Sequence, residues 1–176
     1  MTKEIRLRDG DLILRSFTPG DRECLQRLGD NPRVSRTLAN HFPSPYTLGD
    51  ADAWIAATAA ETRRCNFAVE WKGDFVGGIG LMPMTDVHSG TANFGYWLGE
   101  PYWGKGLTTR AVAAILPYAF DELLFVRLQA IVFAGNAPSM RVLEKNGFIR
   151  EGVLRKHVTK NGAVTDAILY AKLRNP

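Results

Sequence analysis

Gly104, Lys105 and Gly106 lie within a stretch, Tyr96 to Thr109, whose residue types suit an anion. The stretch opens as a strand, with Phe94, Tyr96 and Leu98 alternating with smaller neighbours. It breaks at Gly99-Glu100-Pro101, because Pro101 cannot continue a strand ladder. It then crosses the glycines into a helix with Leu107, Ala111, Ile115 and Tyr118 on one side. The first N–H groups of a helix have no intrahelical partner, and the dipole places partial positive charge there. Glycines remove the side chains that would hold an anion away. A phosphate or pyrophosphate seat is therefore expected, with an ordinary strand-to-helix turn as the alternative.

Two glycine-loop chemistries compete for this stretch. Gly99 through Lys105 has the G-x-x-x-x-G-K spacing of a nucleotide loop. Gly106, however, stands where that loop needs a Ser or Thr hydroxyl for Mg²⁺. Pro101, Tyr102 and Trp103 also occupy positions where bare backbone should wrap a phosphate. A dinucleotide fingerprint fails at its third glycine, which is Thr109. The nucleotide-dependent phosphotransferase is thus a rival with two parts missing. The second candidate, coenzyme A, rests on a family resemblance rather than on the glycine spacing.

The elements that must position this stretch follow from periodicity and caps. Asp11–Phe17 reads as a first strand, and Thr18-Pro19 opens a helix to about Leu28. Asn31-Pro32 starts a short helical piece, and a loop with two prolines runs from Leu38 to Tyr46. Thr47 or Asp50 caps a helix to about Arg63. Asn66–Trp71 and Phe75–Met82 form a hairpin around Lys72-Gly73-Asp74. Thr91–Leu98 leads into the glycine stretch, and the helix beyond it meets Pro117 before ending near Glu122. The proline frees the Ala113 carbonyl and predicts a kink. Arg127–Phe133 is a strand. Asn136 caps a helix with Pro138 in its first turn and Gly147 as its stop. Gly152–Thr159 and Ala163–Leu173 flank Lys160-Asn161-Gly162, a hairpin turn. Hairpins mixed with two helical crossovers predict an α+β fold with a mixed sheet.

Composition narrows the class. A chain of 176 residues with 45% hydrophobic and 23% charged residues suits a single soluble domain, 1–176. Residues 1–88 hold 11 Lys/Arg against 12 Asp/Glu, and residues 89–176 hold 11 against 6. The basic excess shares a half with the glycine loop, which suits a small anionic ligand. No run of Lys/Arg with stacking aromatics argues for nucleic acid. No run approaches ~18 apolar residues, so no membrane span is expected. Cys24 and Cys65 have no metal-ligand spacing, and no metal is expected. Reduced thiols and a start, Met1 to Arg6, without an apolar leader point to a cytoplasmic protein.

Several pieces in order resemble the GNAT acetyltransferase superfamily. They are Gly95-Tyr-Trp-Leu, Trp103-Gly-Lys-Gly-Leu-Thr-Thr109, Asn136-Ala-Pro-Ser139 and Glu144-Lys-Asn-Gly147-Phe148. Within it the chain resembles the RimJ/RimL branch, which acetylates ribosomal-protein N-termini. The resemblance implies a central, mostly antiparallel mixed sheet with helices on both faces. It also implies splayed strands that form an acetyl-CoA cleft, the pantetheine arm lying between the strand ending at Leu98 and Leu128–Phe133. The pyrophosphate loop would take Trp103, Gly104, Lys105, Gly106, Leu107, Thr108 and Thr109, with Thr108 departing mildly from the usual Gly or Ala. The acyl carbonyl would meet a backbone N–H near Trp97 or Leu98, a small oxyanion hole. Asn136 would bind pantetheine, and Ser139 would act as acid or hydrogen-bond partner for the thiol.

The implied activity is acetyl transfer from acetyl-CoA to a primary amine, a protein N-terminus or a small amine, by direct attack in a ternary complex. A monomer or homodimer suffices for it. The attacking amine must be neutral. Family members often place a Glu where this chain has Asn93, and Asn is no base near neutral pH. Glu70 and Glu100 could reach the cleft through water, or could be solvated carboxylates. An α-amine, with pKa ~7.7–8.0, needs less help than a Lys amine near ~10.4. The missing carboxylate thus favours an α-amine or another weakly basic amine, or a chain that binds acetyl-CoA with little catalysis. His41, Phe42, Tyr46 and Asn93 could line the acceptor site, while Tyr96, Trp97, Tyr102 and Trp103 could wall the thioester or be simple core.

Overall fold

In the computed structural model, residues 5–174 are described. The first four residues of the N-terminal reading lie outside that range. Leu7–Asp9 (β1) and Leu12–Arg15 (β2) form a hairpin, and a single 3-10 turn, Pro19–Asp21, leads into α1, Arg22–Gly29. Then come α2 (Pro32–Ser35), α3 (Leu48–Ala59), β3 (Asn66–Trp71), β4 (Asp74–Pro83) and β5 (Thr91–Leu98). The chain continues through α4 (Leu107–Pro117), β6 (Arg127–Phe133), α5 (Ala137–Lys145), β7 (Ile149–Lys160) and β8 (Ala163–Leu173).

Two compact units divide the chain: Met1–Gly80 with Tyr96–Ile115, and Leu81–Gly95 with Leu116–Pro176. β4, β5 and α4 each run from one unit into the other. In the first unit β1, β2, β3 and β4 pair antiparallel in turn. In the second, β5 pairs parallel with β6, β6 antiparallel with β8, and β8 antiparallel with β7. The strand order is β1-β2-β3-β4-β5-β6-β8-β7, a mixed and mostly antiparallel sheet that is open at both ends.

The first unit is built around one apolar cluster. Leu25 and Leu28 of α1 and Ala51 and Ile55 of α3 pack with Phe17, Tyr46, Ala68 and Phe75. Thr47 caps α3 reciprocally: its Oγ1 accepts from the Asp50 N–H, and Asp50 accepts from the Thr47 N–H at 2.8 Å. Beside the cluster lies an ion network. Arg15 donates to both Asp21 oxygens at 2.7 Å and, through Nε, to Glu70 at 2.6 Å. Burial pushes the Asp21 carboxyl up, but Arg15 and the Thr18 N–H and hydroxyl outweigh it and hold the pKa below the usual value.

Second-unit strands bury Leu128, Ala130 and Val132 of β6 with Ile168 and Tyr170 of β8. Tyr170 Oη donates to Glu144 at 2.7 Å, which fixes α5 on β8. Phe94 of β5 stacks on Phe148 with ring centroids 5.7 Å apart. Between β7 and β8, Asn161 and Gly162 take positive φ, as the Asn-Gly turn requires.

Three expectations need correction. β1 carries no alternation long enough to read, and the first strand proves to be a hairpin. α3 stops at Ala59, short of Arg63, because Glu61 turns back to accept from the Cys65 N–H and Arg64 donates to the Thr58 carbonyl. These side-chain bonds satisfy backbone groups that a longer helix would have claimed. β7 starts at Ile149, three residues before Gly152, and bulges twice against β8. At Pro117 the helix widens into a π turn, Tyr118–Glu122, with the Leu123 N–H donating to the Tyr118 carbonyl at 2.9 Å. The missing proline N–H is absorbed there.

Close approach of backbones explains two glycines in β4. A Cβ on Gly77 would lie 2.2 Å from the Trp97 carbonyl oxygen, and one on Gly78 would lie 3.0 Å from the Trp97 indole nitrogen. Gly77→Ala must therefore push β5 at Trp97–Leu98, at a cost of about 1–3 kcal/mol for such overpacking. Gly135→Ala, which meets nothing within 4 Å, serves as control and stays within about 0.5 kcal/mol. Urea unfolding of the two variants reads the difference, and equal midpoints would contradict the close approach. A second outcome follows from Asp21. Because its folded pKa lies below the unfolded 3.8, its contribution is full above that value and drains as pH falls through the folded pKa. Asp21→Asn should lower stability at neutral pH and flatten the acid limb below about pH 4; an unchanged limb would exclude Asp21 as its source.

Candidate functional site

The glycine stretch folds as a held loop. The Gly99 N–H donates to the Val76 carbonyl at 2.9 Å where β5 ends. Glu100–Tyr102 form a single 3-10 turn led by Pro101. The Trp103 indole N–H then reaches back to the Leu98 carbonyl at 2.8 Å. Gly104 and Gly106 take φ of +76° and +73°, the left-handed region that glycine enters without strain. A Cβ at either would meet nothing within 4 Å. The backbone there is open, and the Arg110 N–H donates to the Gly106 carbonyl at 3.1 Å as α4 begins.

Four sets of contacts brace this loop. Glu100 accepts from Asn31 Nδ2 at 2.8 Å and pairs with Arg33. Arg33 also lies 5.8 Å from the centre of the Trp103 ring. Lys105 Nζ sits 5.3 Å and 5.5 Å from the Trp71 and Tyr102 ring centres, which holds its charge beside the loop. Arg110 ties the first turns of α4 to the β1–β2 turn, donating to Asp9 and Asp11 at 2.8 Å each. Asp11 also accepts from the Trp71 indole at 3.0 Å. Its carboxyl is held low first by the Arg110 hydrogen bond.

Gly99 answers the nucleotide-loop question. A Cβ there would stand 2.7 Å from Leu28 Cδ2, so this glycine serves packing against α1. It does not take part in the open glycine surface, and the G-x-x-x-x-G-K spacing is a coincidence.

The other expected site residues fall as follows. Tyr96, Trp97 and Leu98 close β5, with Leu98 buried and the Trp97 ring near Phe42 at 5.3 Å and Phe75 at 6.2 Å. Phe42 also meets Tyr46 at 4.9 Å. Burial, aided by Asp50, pushes the Tyr46 phenol up to about 12, so it stays neutral. His41 is exposed in the same loop. Leu107 is buried at the start of α4, with Thr108 and Thr109 half-buried behind it. Glu70 and Glu100 lie in this first unit, and both carboxylates stand in arginine ion pairs. Asn93, Asn136 and Ser139 belong to the second unit. Asn136 Oδ1 accepts from the Ser139 N–H at 3.3 Å, the expected cap of α5. Asn93 Oδ1 accepts from Gln129 at 3.0 Å.

Sequence reasoning missed Arg15, Asn31, Arg33 and Arg110. Only Arg110, one turn past Gly106 and of opposite charge to Asp9 and Asp11, left a signal. Among the described residues no three His, Cys, Asp or Glu gather as a metal site would, and no helix is long and apolar enough to cross a membrane.

Comparison with known proteins identifies the family. Residues 11–149 match the acetyltransferase (GNAT) domain family model. The SPbeta prophage-derived uncharacterized N-acetyltransferase YokL of Bacillus subtilis is 30% identical, over 93% of this chain and 90% of its own. The spermidine N(1)-acetyltransferase of Escherichia coli K12 is 34% identical, over 88% and 82%. Mycobacterium smegmatis RimJ, solved with a CoA disulfide, superposes with a TM-score of 0.81 at 26% identity, over 97% of this chain and 86% of that one. The chain belongs to the GNAT acetyltransferases and is an acetyl-CoA-dependent N-acetyltransferase.

Proposed function

We propose that this N-acetyltransferase moves the acetyl group to a small or peptidic primary amine by direct attack, with residues 1–176 acting as one catalytic domain. The observation that carries the reading is the open backbone at Gly104 and Gly106, placed where α4 begins and the helix dipole is positive. In this reading Trp103 through Thr109 take the pyrophosphate of acetyl-CoA. Lys105 adds a positive charge beside it. Tyr96, Trp97 and Leu98 face the thioester, and a main-chain N–H at Trp97 or Leu98 supports the developing oxyanion. Asn136 is assigned to pantetheine.

The neutral amine attacks the thioester carbonyl carbon, and the carbon–sulfur bond breaks as the tetrahedral intermediate collapses. The departing thiolate takes a proton, and Ser139 is the assigned hydrogen-bond donor on that side. The nitrogen loses its surplus proton to solvent. We assign Glu70 and Glu100 to positioning, because each already accepts from an arginine. The amine must then arrive largely neutral, which an α-amine does near its own pKa of ~7.7–8.0. His41, Phe42, Tyr46 and Asn93 are assigned to the acceptor side. The spermidine N(1)-acetyltransferase represents one acceptor kind this leaves, a polyamine, and the RimJ/RimL resemblance implies the other, a protein N-terminus.

Thermal shift tests the loop. Acetyl-CoA at ~100 times its dissociation constant stabilises a binding protein by about 2.7 kcal/mol. Gly106→Glu should lose that stabilisation, while Gly106→Ala, with the same backbone strain but no charge, keeps part of it. Equal shifts in the two variants would move the pyrophosphate elsewhere. Ser139→Ala should lower kcat about tenfold, the worth of about one hydrogen bond, and leave the KM for acetyl-CoA in place. Matched losses in both would make Ser139 a binding residue only.

A further inference from the structure

Trp103 is a large aromatic that its loop does not bury. It leaves 40% of its surface exposed, so burial alone does not place it. Its indole has one polar atom, an N–H that can only donate. That N–H crosses back to the Leu98 carbonyl at 2.8 Å. The ring itself is backed by Arg33, whose guanidinium carbon lies 5.8 Å from the ring centre.

The carbonyl it grasps belongs to a peptide group that is held from its other side as well. The Gly99 N–H of the same Leu98–Gly99 peptide donates to the Val76 carbonyl at 2.9 Å. Leu98 is buried, and a Cβ on Gly99 would stand 2.7 Å from Leu28 Cδ2. This end of β5 is therefore a fixed anchor. Past it come Gly104 and Gly106, with φ of +76° and +73°. Glycine enters that region without strain and leaves it as readily. The Trp103 N–H joins the loop to the anchor immediately before the first of these glycines. α2 supports the arrangement from outside. Asn31 Oδ1 accepts from the Arg33 N–H at 2.8 Å, Asn31 Nδ2 donates to Glu100 at 2.8 Å, and Arg33 pairs with Glu100. These bonds keep Arg33 against the Trp103 ring.

We propose that the Trp103 indole is a strut: a positioning residue that fixes the glycine loop relative to the end of β5, and so raises the affinity for the phosphate end of acetyl-CoA without its side chain touching the ligand. The inference rests on the reading that this loop takes the pyrophosphate. An anion seated on backbone N–H groups needs several of them aimed at one point. Two glycines in the seat let those donors diverge, and gathering them on binding costs conformational entropy. The bond to Leu98 supplies that order before the ligand arrives. It also explains why an indole stands here, since a phenyl ring of similar shape has no N–H to reach the anchor.

Trp103→Phe tests this, because it keeps an aromatic ring against Arg33 and deletes the N–H. Two ligands are compared: acetyl-CoA by titration calorimetry, and acetyl-pantetheine, which has the thioester and no phosphate, by displacement of acetyl-CoA. In the variant the Kd for acetyl-CoA should rise about three- to tenfold, the worth of one hydrogen bond. The Kd for acetyl-pantetheine should stay in place. Arg33→Gln, at an exposed residue, removes the backing of the ring. It should raise the acetyl-CoA Kd with the same selectivity and by a smaller factor, which covers the case of a Trp103→Phe chain that does not fold. A merely structural Trp103 would weaken both ligands together. An acetyl-CoA Kd unmoved in either folded variant, or a matched loss for both ligands, overturns the inference while the pyrophosphate reading stands. A wild type that binds acetyl-CoA no tighter than acetyl-pantetheine overturns that reading, and this inference with it.

Discussion

The peptide N–H groups at the start of α4 cannot all be satisfied by the helix they begin, and the first unit is arranged around keeping them presented. A helix end left bare would be a liability if the backbone before it could wander. Here the loop is tied on every side by groups from other elements. Trp103 returns to Leu98, Glu100 is held by Asn31 and Arg33, Lys105 lies over Trp71 and Tyr102, and Arg110 reaches Asp9 and Asp11. Most of these ties are half-exposed, and each contributes little as an isolated pair. Their collective effect is geometric. They remove the alternatives open to a glycine-rich loop, and preorganisation of that kind lowers the entropy lost when a pyrophosphate is bound.

The same economy of charged groups decides how the proton can leave the amine. Two of the carboxylates read as proton acceptors are already engaged by arginines. Arg15 engages Glu70, and Arg33 engages Glu100. Asn93, at the third position considered, has no proton affinity to offer. In the proposed reaction the driving force for deprotonation then comes from the acceptor's own pKa. An α-amine supplies it within one or two pH units of neutrality, and a Lys amine does not. Positioning then carries most of the rate, which is chemically reasonable for a reaction between a good nucleophile and an activated thioester.

Much of the backbone was legible in the amino-acid order. Asn66–Trp71, Thr91–Leu98, Arg127–Phe133 and Ala163–Leu173 lie where alternation and turn residues placed them. Caps at Thr47 and Asn136 and the glycine loop were legible for the same reason: each is a local signal, complete within a few residues. What stayed hidden is long-range pairing. Arg15 meets Glu70 across 55 residues, and Arg110 meets Asp9 across 101. No periodicity announces such a contact. The carboxylates were therefore visible as candidates for chemistry, while the arginines that occupy them were not. The three-residue β1 and the early stop of α3 failed for a related reason, since a hairpin partner and a returning Glu61 decide them.

Orientation of amides belongs to the same class of hidden information, and it shows how a charge can specify a neutral site. An amide presents a donor and an acceptor of almost equal shape, so sterics alone barely distinguish its two faces. A guanidinium distinguishes them absolutely, because it can only donate. From Glu151 through Arg127 and Gln129, that preference is handed on until it reaches Asn93 at the end of the β5–β6 pairing. The charge itself remains with Glu151 and Arg127, where each compensates the other. Only the sense of the hydrogen bonds travels.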